Sequence, residues 1–175
     1  MARLPETPTV GALRRVGGWS LLLPRSLATV LALGWMGFIW FLSSSRGRHA
    51  IEAFDLDVLW NNFLHAPAFG LLAYLLLLGR PRREDGWARI DLLGALFVLG
   101  SCALYAAVDE LHQGQVPRRV ASVTDWITDV VGASSVVWIA SYLGRPGQSS
   151  EWGLWWRFLV GLAACFAAAL AATLA

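Results

Sequence analysis

Five long apolar stretches, each closed off by a short polar one, set the pattern of this chain. Residues 26–45 run for 20 positions without a charge, and residues 58–79 run for 22 with His65 as the one Asp, Glu, Lys, Arg or His. Residues 92–108 give 17, bounded by Asp91 and Asp109. Residues 126–144 give 19 and enclose Asp129, and residues 158–175 give 18 with no charge. A helix rises about 1.5 Å per residue, so roughly 20 apolar residues cross the hydrocarbon of a bilayer. A buried core helix of a soluble protein could imitate one such run, but not five. The pattern predicts an all-α, polytopic membrane bundle of about five transmembrane helices. The first run follows a long leader, and Trp40-Phe41-Leu42-Ser43-Ser44-Ser45 lacks a small-x-small cleavage pattern. It reads as an uncleaved first helix. Trp60, Trp87, Trp126, Trp152, Trp155 and Trp156 lie near the expected helix starts, where indole favours the headgroup zone.

Composition agrees and narrows the class. The chain is 57% hydrophobic and 15% charged over 175 residues, which points away from a soluble domain. Cys102 and Cys165 fall inside the third and fifth runs and form no CxxC pair, so they read as small packing residues. All fourteen basic residues are arginine, which with the Ala and Leu content suggests the coding bias of a GC-rich bacterial genome. A net charge of +2 gives no reason to expect nucleic acid as a partner.

Arginine placement predicts the orientation. The leader, second loop, fourth loop and last helix start hold Arg3, Arg14, Arg15, Arg25, Arg80, Arg82, Arg83, Arg89, Arg145 and Arg157, which is ten; the other side holds Arg46, Arg48, Arg118 and Arg119, which is four. The positive-inside rule then puts the N-terminus in the cytoplasm. The predicted organisation is a basic cytoplasmic tail over residues 1–25, a membrane domain over 26–144, a linker over 145–153 and a further helix over 154–175. Gly17, Gly18 and Pro24 argue against a stable helix in the tail. The loop with Arg46, Arg48 and His49 reads as a solvated connector.

The polar residues between the third and fourth spans stand out: VDELHQGQVPRRVASVTDW, residues 108–126. In the expected orientation they lie on the outer side. Asn61, Asn62 and His65, at the start of the second span, lie at the same level. Asn61 shares a helix face with His65, Asp109 with His112 and Gln113, and Asp125 with Asp129. Three helix ends thus bring polar groups to one outer-leaflet region. An ionised carboxylate as deep as Asp129 costs about 2.5–3.5 kcal/mol unless it is shielded or paired. Arg119, His65 or a water-filled cleft could compensate it.

These residues resemble a known family. DELHQ, VPRR, ASVTD and DWITDVVG are similar to the central motif of VanZ-like membrane proteins, with Asp109, Glu110, Gln113, Pro117, Arg119, Ser122, Asp125, Asp129 and Gly132 in step. Upstream, NNFLHAPAFGLLAY matches the family's segment at His65. The resemblance covers about residues 27–143 and implies a four-helix VanZ-like core in a bacterial inner membrane, here with one extra C-terminal helix. The family is named for an accessory protein that raises resistance to teicoplanin. Asn61 and Asn62 stand where an Asp-Lys pair is usual, Arg118 stands for a glycine and Gln115 for an aromatic residue.

Three readings of the polar cluster follow. In the first, Arg119, supported by Arg118, holds a phosphate of a lipid headgroup or a lipid-linked envelope precursor. His65, Asp109, Glu110, Gln113, Ser122, Asp125 and Asp129 complete that binding site. In the second, the cluster is an enzyme's, with Asp109, Glu110, His112 and Asp125 as catalytic candidates or, with His65 and Asp129, ligands of a divalent metal. No HExxH motif and no paired Ser or Cys nucleophile backs that reading, and no cofactor or resident metal is expected. In the third, the charges only pair with one another, with Asp109 capping a helix end, Arg119 neutralising Asp125 and Ser122 capping the fourth helix. A transporter gains little support from five spans without a visible repeat.

Overall fold

The computed structural model describes residues 8–44, 58–84, 87–117, 119–145 and 150–174. Arg3, the loop with Arg46, Arg48 and His49, Arg118 and residues 146–149 of the expected linker lie outside the described residues. The described residues form six helices: α1 Pro8–Ser20, α2 Arg25–Ser44, α3 Val58–Leu78, α4 Leu92–Gln113, α5 Val123–Leu143 and α6 Glu151–Leu174. Five of them, α2 to α6, are long and apolar enough to cross a membrane. Among the described residues the only β pairing is an isolated bridge between Arg82 and Ala88.

The helices alternate in direction. At one end Ser43, near the close of α2, meets Asp109 near the close of α4, and Asn62, near the start of α3, meets Thr173 of α6. At the other end Arg25 of α2 reaches Gly79 just past α3. The α3 helix is the central one, packing on α5, α6, α2 and α4. The core they enclose includes Ile39, Phe69, Leu72, Leu77, Val98, Cys102, Tyr105 and Val137.

Helix α4 shows how the sequence sorts lipid from protein. Leu92, Leu93, Leu96, Phe97, Leu104, Val108 and Leu111 recur at helical spacing and are exposed. Gly94, Val98, Cys102, Tyr105 and Ala106 occupy the opposite, buried stripe. An outward apolar face is the expected solution where lipid is the solvent. Helix–helix contact then relies on small residues. A Cβ at Gly70 would sit 3.1 Å from Val136 Cγ2, and one at Gly161 would sit 3.1 Å from Ser135 Cβ. Gly132 is tighter still, because its Cβ would overlap the Ala66 carbonyl oxygen.

The arginine-rich end is closed by capping. Arg14 Nε donates to Leu143 O at 2.9 Å, Arg83 Nη1 to Gly144 O at 3.0 Å and Arg25 Nε to Gly79 O at 3.1 Å. These are carbonyls at helix C-termini, which lack intrahelical donors and carry partial negative charge. The same contacts explain why the tail is helical despite Gly17 and Gly18. Pro8 opens α1, where its missing N–H costs nothing. Tyr74 Oη donates to Ser20 Oγ at 2.6 Å, and the Trp87 ring lies so close that a Cβ at Gly17 would be 2.7 Å from Cη2. Tertiary contact overrides propensity there. Trp126, near the start of α5, also packs between helices: its Nε1 donates to Ala103 O of α4 at 2.9 Å.

The start of α4 is capped by Asp91, whose carboxylate accepts from Gly94 N at 2.8 Å and from Arg89 Nε at 2.7 Å. The Gly94 amide, with the Arg89 guanidinium, holds this carboxyl below the usual carboxylate range. A depressed pKa in the folded state means the cap contributes fully above the unfolded value, about 4, and is lost as pH falls through the folded one. Amide exchange at Gly94 and Ala95, corrected for intrinsic rate, should therefore accelerate below about pH 4, and Asp91→Ala should remove that step.

Candidate functional site

The apolar count stops at Val108, but the helix does not. The α4 helix continues to Gln113, and its buried stripe simply changes chemistry, from Tyr105 and Ala106 to Asp109, Glu110 and Gln113. These three side chains remain buried, at 1%, 6% and 4% exposure. The α5 helix likewise begins at Val123, three residues before its apolar run. Ser122 is its N-cap, accepting from Asp125 N at 3.1 Å. This is the expected use of serine, whose oxygen satisfies an amide that the first turn leaves free.

Asp109 accepts at Oδ2 from Ser43 Oγ and from Gln113 Nε2, both at 2.8 Å. It does not cap a helix end. Gln113 Oε1 in turn accepts from Arg119 Nη1 at 2.8 Å. The result is a connected chain from Ser43 through Asp109 and Gln113 to the Arg119 guanidinium. Each amide or hydroxyl in it fixes the next group.

Beside that chain sits a second cluster. Asp129, on the second turn of α5, is fully buried, and its Oδ1 lies 3.1 Å from His65 Nδ1. Of the compensating groups expected for Asp129, His65 is the one in contact. Glu110 Oε2 accepts from Ser122 N at 2.7 Å, and Glu110 Oε1 lies 3.5 Å from Gln113 Nε2. His65, Glu110 and Asp129 each offer one ligand atom within 4.8 Å of the others. Among the described residues, Asp109 Oδ1, Asp125 Oδ1 and Asp129 Oδ2 are buried without a hydrogen-bond partner. Buried acceptors are normally satisfied, so three orphaned carboxylate oxygens at one end of a bundle are an expensive arrangement.

Other candidates fall elsewhere. His112 stacks on Trp40, with ring centroids 3.7 Å apart, and its Nε2 lies 2.8 Å from Ser44 Oγ. It shares the α2-facing side with Asp109 but is not among the clustered donors around Asp129. Asn62 donates to Thr173 Oγ1 at 3.1 Å and ties α3 to α6. Sequence reasoning missed the fourth contributor, α2, which supplies Ser43 and Ser44. It also missed Thr128, buried beside Asp129, whose hydroxyl donates back to Thr124 O at 3.0 Å. Ser43 and Ser44 close the first apolar run, where serines look like ordinary interface residues. Their pairing depends on helix order that the sequence does not display.

Five membrane-capable helices gathering buried carboxylates, a histidine and an arginine at one end define a multi-pass helical membrane protein with an internal polar site. A family model, VanZ/LLP1, matches residues 28–144, well over half of the chain. The chain belongs to the VanZ-like family. Searches of curated proteins and of solved structures returned no match. The matched segment takes in α2 to α5 almost entire, and with them every residue of the polar site.

Proposed function

We propose that the site binds the polar headgroup of an envelope lipid or lipid-linked precursor at the outer leaflet of a bacterial inner membrane. The observation that carries this reading is the Ser43–Asp109–Gln113–Arg119 chain. It holds a half-buried guanidinium by one hydrogen bond, from Nη1 to Gln113. Among the described residues the guanidinium makes no other side-chain hydrogen bond, which leaves donors for a phosphate. Arginine's fork of donors matches phosphate geometry, and a fixed fork loses less entropy on binding. The orphaned oxygens of Asp109 and Asp125 suit the hydroxyl or amide hydrogens of a headgroup.

Two further features support a lipid. An apolar groove of about 430 Å³ runs between α3, α5 and α6; its lining includes Phe63 and Ala66, on either side of His65 in the chain, and Gly132, one turn from Asp129. An acyl chain in that groove would leave its headgroup beside the polar site. The arginine bias of ten to four supports an outward-facing site, since the arginine-rich end of the bundle is the opposite one.

The test in cells is teicoplanin and vancomycin susceptibility, comparing wild type, Asp109→Asn and Arg119→Ala at matched membrane abundance. The expected result is selective teicoplanin protection by wild type, lost in both variants. A well-expressed wild type that gives no protection would overturn the resistance part of the proposal.

A further inference from the structure

We propose that His65, Glu110 and Asp129 form a binding site for one divalent first-row transition cation, of the Zn²⁺ or Mn²⁺ kind. Three helices supply the ligands, α3, α4 and α5, and one ligand atom from each lies within 4.8 Å of the others. Ligand bonds of about 2.0–2.2 Å require these side chains to close in by roughly an ångström each. The independent observation is Asp129. It is fully buried, yet its Oδ2 has no hydrogen-bond partner among the described residues. A cation is the kind of ligand that satisfies a buried carboxylate oxygen which the protein itself leaves unpaired.

The surroundings are those of a metal site. The His65 Nδ1–Asp129 Oδ1 contact at 3.1 Å already holds the imidazole against one of the carboxylates that would share the ion. Glu110 is fixed by the Ser122 amide at 2.7 Å, so one carboxylate is held from outside the ligand set. His65 keeps 23% of its side chain exposed, which gives an entry path to an otherwise closed cluster. Charge points the same way. Asp109, Glu110, Asp125 and Asp129 share this end of the bundle with one arginine, Arg119, and with His65 and His112 among the described residues, so four carboxylates outnumber the one guanidinium and a dication would offset the excess. One imidazole with two carboxylates selects a transition metal over Ca²⁺ or Mg²⁺, which take all-oxygen shells. Three protein ligands leave a coordination position for water or a ligand oxygen.

The site is tested with metal alone and does not depend on the headgroup reading. Tag-free, chelator-stripped full-length protein in detergent is dialysed against Zn²⁺ or Mn²⁺, and bound metal is measured by mass spectrometry. The expected result is about one ion per chain, with affinity at least tenfold weaker in Asp129→Asn and His65→Gln and unchanged in His112→Ala. Co²⁺ loading of wild type should give visible d–d absorption, altered in His65→Gln. Should a variant fail to fold, the wild-type stoichiometry and Co²⁺ spectrum still decide. Binding well below one ion per chain for both metals, or occupancy unaffected by His65→Gln, would overturn the proposal.

Discussion

The Gly132→Ala substitution is expected to destabilise the bundle by about 3 kcal/mol, the upper end of what one added methyl costs in a packed interior. The reason is what the methyl meets. A Cβ there would overlap the Ala66 carbonyl oxygen and lie 2.6 and 2.7 Å from Ala66 Cα and C. A flexible side chain can rotate away from such a contact, but backbone can yield only if α3 and α5 separate. Those two helices form the most extensive pairing in the bundle and carry both His65 and Asp129. Thermal unfolding in detergent, followed by tryptophan fluorescence, should show a large fall in midpoint. Gly100→Ala is the control: nothing lies within 4 Å of its Cβ position, and the change should be neutral or stabilising. Equal midpoints for wild type and Gly132→Ala would mean that the close crossing of α3 and α5 is absent.

The Asp129→Asn substitution is expected to act in the opposite direction on stability and to abolish the site. Asparagine preserves shape and keeps an acceptor for His65 Nδ1–H. It replaces the orphaned Oδ2 with an amide donor in the cluster that contains the Glu110 carboxylate. Relieving one unsatisfied buried acceptor is worth about 1–3 kcal/mol, so chelator-treated Asp129→Asn should unfold at a higher temperature than chelator-treated wild type. Gains of this kind at the expense of function mark residues kept for their chemistry. If the variant is instead less stable by a similar amount, Asp129 serves mainly to pair with His65, and the reading in which the charges only satisfy one another would stand.

Much of this was legible in the sequence, and the limits of legibility are physical. Five spans could be read from long apolar runs, broken only by His65 and Asp129, because lipid imposes continuous apolarity on whatever faces it. The helix ends could not. The run before Asp109 stops at Val108, whereas α4 continues to Gln113, because Asp109, Glu110 and Gln113 stay on the inward stripe and find partners in Ser43 and the Ser122 amide. Likewise α6 starts at Glu151, seven residues ahead of its apolar run. Ser122 as an N-cap followed from local spacing, and depth in the membrane made His65 one of three candidates to compensate Asp129. The role of α2 did not, since Ser43 contacts Asp109 across 66 residues of sequence. The packing of Trp126 on α4 was hidden for the same reason: its place at a helix start was legible, but not the face that turns its Nε1 toward Ala103 O.

The central claim, that Arg119 presents a guanidinium to a phosphate headgroup, is tested most directly by lipid retention. Purified protein is exchanged into equal amounts of phosphatidylglycerol and a phosphate-free diglycosyl diacylglycerol, and the lipid kept per chain is counted by native mass spectrometry. Wild type should retain the phosphate lipid preferentially, Arg119→Ala should lose that preference, and Arg119→Lys should restore only part of it. Equal retention of the two lipids by wild type, or a preference that survives Arg119→Ala, would contradict the account.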